Sequence, residues 1–204
     1  MSDIPPPRPP KVSGQLFSAR LEFLRRAYGE ATITRVLEAL GPEDRERLRG
    51  LDASQWYPFR TLVRFDRIVA QVVAPDDPEI FGRLGGASAR LLLSWLGRDA
   101  PLMSPHALLS RVAEDHGRRF SFGTGEYRRT GFGEGELVFS GYPETDEVFC
   151  RSSRGYVRAC VEFLTGRRVE VEEPECQCRG DGRCLYRVRW QARPGSGQIA
   201  VADA

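Results

Sequence analysis

Four side chains in the last third of the chain have the types and spacing to do chemistry together: Cys150, Glu173, Cys176 and Cys184. Cys176 and Cys184 flank the turn residues Gly180-Asp181-Gly182, so a hairpin would bring both thiols to one point. Glu173 stands three residues before Cys176, and Pro174 between them interrupts strand alternation, which lets both side chains face the same side. With Cys150 at the start of a helix expected to pack nearby, three thiolates and one carboxylate suit a tetrahedral zinc ion. A zinc closed by four protein ligands has no open position, so its expected role is structural. Cys178 offers a competing thiol on the same strand face as Cys176, and in place of Glu173 it would make the site all-thiolate. Cys160 continues the apolar face of its helix and reads as a buried core thiol. Five cysteines are an odd count, which fits free thiols or ligands better than a disulfide framework.

Other reactive groupings are sparse. The two histidines are His106 and His116. Asp115-His116 lies near Ser110, but no nucleophile elbow precedes any serine, so no triad is assigned. The glycines from Gly123 to Gly135 form no phosphate-binding pattern and lead into a strand. No catalytic residue is assigned, which leans against an enzyme. Phe120, Phe122, Tyr127, Phe132, Phe139 and Tyr142, facing Trp95, are candidates to line an apolar cavity for a small molecule.

The elements that must position these residues follow from periodicity. Phe17, Leu21, Leu24 and Tyr28 recur at helical spacing up to Gly29. Ile33, Val36, Leu37 and Leu40 continue to Gly41-Pro42, a stop followed by a fresh start. Phe59 to Val72 gives another amphipathic helix. Asp77-Pro78 opens the longest helix candidate before Gly97, in which Gly85, Gly86, Ala87 and Ser88 predict a close helix contact. A further helix covers Ser104 to Gly117. From Arg119 the pattern shortens into glycine-cut strands, then a helix spans about Thr145 to Leu164, and strands over 169–176 and 185–190 close the hairpin. The expected class is α+β: N-terminal helices packed on an antiparallel sheet, then a helix and a C-terminal hairpin carrying the zinc site. Residues 1–13 read as a disordered Pro-rich tail, 14–192 as a single domain and 193–204 as a flexible tail.

The chain has 204 residues, enough for one sizeable core. Thirty basic residues, of which only Lys11 is lysine, stand against 28 acidic ones. A net charge of +2 removes the usual electrostatic case for nucleic acid. The longest nearly apolar stretch, Ala87 to Leu96, is far short of a membrane span, and the start lacks a secretory signal. A cytoplasmic protein without membrane or nucleic-acid partners is expected.

Cys150, then Gly155-Tyr156, Gly166-Arg167, Glu173-x-x-Cys176, Cys184, Val188 and Trp190 together resemble the 4-vinyl reductase (4VR) domain. This family includes the sensing domains of activators that respond to phenolic and other aromatic compounds, and a protein of bacteriochlorophyll synthesis. The TRAPP tethering subunits are more distant relatives in fold. The resemblance implies zinc on Cys150, Glu173, Cys176 and Cys184, a pocket for a small apolar or aromatic ligand, and a homodimer, with the segment around Leu91 to Trp95 as a candidate surface. It implies a stand-alone sensor or regulatory domain; with no ATPase or DNA-binding segment after Trp190, its output would pass through a protein partner. The alternatives are a carrier or accessory reductase for a tetrapyrrole-like substrate, and a TRAPP-like scaffold without ligand.

Overall fold

The computed structural model describes residues 9–191; the expected tail over 193–204 and most of the N-terminal one lie outside the described residues. The N-terminal tail ends sooner than the sequence suggests. Lys11–Ser13 forms strand β1, paired antiparallel with β2, Trp56–Pro58. Prolines cannot donate to a ladder, but the Pro10 carbonyl accepts from Phe59 N–H at 2.9 Å.

The remaining elements come close to the periodicity. Helices α1 (Gln15–Tyr28), α2 (Glu30–Ala39), α3 (Pro42–Arg49), α4 (Phe59–Val73) and α5 (Glu79–Leu96) fill the first half. Helices α6 (Pro105–Glu114) and α7 (His116–Arg119) lead to strands β3 (Thr124–Arg129) and β4 (Glu134–Ser140). Helix α8 (Glu147–Thr165) then precedes β5 (Glu170–Glu175) and β6 (Arg183–Arg189). Start signals are local: Ser104 accepts from Ala107 N–H ahead of Pro105, and Asp146 accepts from Val148 N–H, each satisfying an orphan donor of its helix. Gly166 ends α8 with φ of 64°, a left-handed cap that a side chain would strain.

The fold is α+β, with an antiparallel sheet in the order β3-β4-β6-β5. Its packing differs from the expected one. The sheet is covered by α6 and α8, while α1, α2 and α4 pack on one another and on α5. Two cores result. One gathers Phe17, Leu24, Phe59, Leu62 and Phe65 among the first helices, and the other gathers Leu108, Leu137, Val161 and Tyr186 beneath the sheet. Helix α8 serves both, with Phe149 in the first and Cys150 in the second.

Helices α5 and α8 bind the cores together through backbone contact. A Cβ on Gly85 would sit 1.8 Å from the Ser152 carbonyl oxygen, and one on Gly155 would sit 2.2 Å from that of Gly82. Only glycine permits this approach, as the run of small residues predicts. Among the described residues no helix is long and apolar enough to cross a membrane.

Candidate functional site

Two clusters of reactive side chains lie on α8. In the first, one ligand atom from each of Cys150, Glu173, Cys176 and Cys184 lies within 4.8 Å of the others. The β5–β6 register shifts between Glu172 and Glu175, where Pro174 cannot donate to the ladder, and this irregularity turns Glu173 and Cys176 to one side. Asp181 fixes the turn by accepting from Cys176 N–H at 2.7 Å. Cys178 joins the group, its Sγ 3.5 Å from that of Cys150, and Cys176 Sγ lies equally close to Cys150. Cys184 is held near 7 because Cys150 donates to it and Gln177 N–H adds a second donor. Burial pushes Cys176 up to about 12, and Cys150, donating to Cys184, is raised further. The cysteines therefore form a mutually hydrogen-bonded thiol cluster with one sulfur inclined to ionise. Glu173 Oε1 is buried and takes no hydrogen bond.

The second cluster encloses a cavity of about 50 Å³ where the two cores meet. Its apolar wall includes Leu62, Val112, Phe120, Phe139, Phe149 and Val157, and its polar lining includes Arg20, Ser88, His116, Arg119, Ser152 and Tyr156. Arg20 is clasped by Asp66 at 2.7 and 3.0 Å, and also donates to the hydroxyls of Ser88 and Ser152. Burial pushes the Asp66 carboxyl up, and the Arg20 guanidinium beside it works the other way. His116 is 3 % exposed and stacked between Phe120 and Tyr142, with ring centroids 4.8 and 5.6 Å away. Its Nε2 carries the proton, because the partner at 3.0 Å is the Phe122 carbonyl, which can only accept. Burial, assisted by the Arg119 charge, lowers it to about 4, so the ring is neutral near pH 7.

The other expected residues separate. Phe120, Phe139 and Tyr142 line the cavity, whereas Phe132 and Trp95 are exposed and Tyr127 hydrogen-bonds His106. His106 uses both ring nitrogens, on Tyr127 and on the Phe132 carbonyl. Ser110 donates to Glu114 and Asp115 accepts from Arg111, so Ser110, Asp115 and His116 form no relay. Sequence reasoning missed Arg20, Asp66 and Arg119. Arg20 recurs with Leu16 and Leu24 on the buried face of α1, and Asp66 with Leu62 and Val69 on that of α4; a charge inside an apolar stripe is a readable signal. Arg119 gives none, since it ends a basic run beside Arg118.

Residues 133–190 match the family model of the 4-vinyl reductase domain. No curated protein matches the chain. Among solved structures, the chain is similar to an H-NOX protein from S. oneidensis in its Fe(II)NO ligation state, with a TM-score of 0.68 at 14% identity over 88% of this chain and 99% of that one. A structure described as probing heme distortion in the H-NOX family gives 0.67 at 14% identity over 91% and 98%. An oxygen-binding H-NOX domain related to soluble guanylate cyclases gives 0.64 at 14% identity over 87% and 94%. These likenesses correct two expectations. The zinc cofactor is unsupported, because the similar structures are described by heme and its gases, and buried thiols that satisfy one another do not require an ion. The zinc-stapled sensor, with its carrier and scaffold alternatives, gives way to likeness with heme-based gas-binding domains across nearly the whole chain. Residues 133–190 belong to the 4-vinyl reductase (4VR) domain family, and the chain that carries them has the fold of H-NOX domains.

Proposed function

We propose that this chain is a sensor of the H-NOX architecture whose ligand enters the chamber around His116 and is no larger than a few heavy atoms. The observation that carries this reading is an enclosed, mostly apolar cavity at the junction of two cores, supplied with a few convergent polar groups. Its 50 Å³ compares with roughly 10–15 Å³ for one water, far below the roughly 300–1,000 Å³ of ordinary ligand pockets. A porphyrin does not fit the residues as they stand. Both faces of His116 are covered and its Nε2 is committed to Phe122, while His106 has no free nitrogen. Heme is thus the cofactor of the similar proteins, and this chain is read as sensing without it.

Xenon and hemin test the reading. Xenon should shift the NMR signals of Val112 and Val157 methyls, and Val157→Phe should abolish that shift in a protein of unchanged circular dichroism. Hemin should give no histidine-ligated Soret band. A stoichiometric band lost on His116→Gln would overturn the reading in favour of heme.

Cys150, Glu173, Cys176 and Cys184 are proposed as a second site, a candidate ligand set for a thiol-preferring cation, supported by the unpartnered Glu173 Oε1. Elemental analysis of wild type and Cys176→Ser tests it, and identical metal content in the two rejects it. Self-association through the exposed face around Trp95 is tested by light scattering on Trp95→Glu.

A further inference from the structure

We infer that the ligand of the chamber is a small organic anion, a carboxylate on a short branched apolar body, held by Arg119; this rests on the chamber reading above. Arg119 is 8 % exposed. One terminal nitrogen donates to Tyr156 Oη and the other to the Val112 carbonyl, with the guanidinium over the Tyr156 ring, 4.8 Å from its centroid. Its Nε–H is buried and has no partner. Among the described residues no carboxylate lies within salt-bridge distance of Arg119, whereas Arg20, on the same chamber, has Asp66. A guanidinium cannot shed its proton, so its charge stays buried without an anion, an arrangement that is costly unless something supplies one.

The other polar groups of the chamber also favour an acceptor. Ser88 and Ser152 each accept from Arg20, which leaves each hydroxyl its own proton to give. His116 is neutral and adds no competing charge. Strongly hydrated inorganic anions suit this lining poorly, because most of it is aliphatic and aromatic carbon. A carboxylate on a short alkyl body satisfies both parts.

Isobutyrate and its neutral isostere isobutyramide test the inference, with binding followed by NMR titration of the full chain. Isobutyrate should bind about tenfold or more tightly than isobutyramide, the scale of a charge-assisted hydrogen bond. Arg119→Met should erase that preference, and Arg119→Lys, which keeps the charge without the Nε–H, should retain part of it. Equal binding of the two probes by wild type, or an undiminished preference in Arg119→Met, overturns the anion while leaving the chamber intact. Xenon shifts in the chamber without any isobutyrate binding do the same. Absence of both removes the chamber reading as well.

Discussion

Each half of the molecule buries an arginine, and the two are satisfied differently. Arg20, among the first helices, meets a carboxylate in two-pronged geometry and two serine hydroxyls. Arg119, beside the sheet core, meets a phenol and one carbonyl and keeps a donor idle. The first is a completed internal pair that ties α1 to α4, α5 and α8. The second is incomplete within the chain, and a group of this kind is what a binding site retains for something else.

The largest effect should come from breaking the completed pair. Asp66→Ala leaves Arg20 buried without its anion and should cost about 3–5 kcal/mol in urea unfolding, with part recovered in the Asp66→Ala, Arg20→Met double variant. Next comes acid. His116 binds its proton near 4 when folded and near 6.5 when unfolded, so between these values the unfolded chain holds more protons and stability falls as pH falls. The full loss approaches about 3 kcal/mol, and His116→Gln should flatten that part of the profile. Gly85→Ala drives a methyl into the Ser152 carbonyl and should cost about 1–3 kcal/mol by forcing α5 from α8. The smallest change is expected at Arg119: replacing it by Met in the ligand-free protein should leave stability unaltered or raise it slightly, the reverse of Asp66→Ala. A loss for Arg119→Met as large as that for Asp66→Ala would erase the contrast between the two arginines.

Helices were readable because their apolar stripes and caps are local: Ser104-Pro105, Asp146 and Gly166 mark boundaries without reference to the rest of the chain. The small residues of α5 announced the helix crossing, and Pro174 announced the break in β5 that gathers Glu173 with Cys176. The chamber was less legible. Phe120 and Phe122 look like strand residues, yet they follow α7, and only an isolated bridge joins Phe120 to Val12. Arg20, Ser88, Arg119 and Ser152 come from four helices, and nothing in their separate neighbourhoods says that they share a cavity. The zinc expectation shows a related limit, since spacing predicts which thiols meet and says nothing of what lies between them.

The backbone contact of α5 with α8 has a mechanical outcome. With Gly85 lodged against Ser152 and Gly155 against Gly82, neither helix can slide along the other without driving carbonyls together. Swelling of the chamber must therefore tilt the two as one strut. Cys150 rides on that strut two residues from Ser152, so the spacing of the sulfur atoms becomes a gauge on which occupancy of the cavity registers.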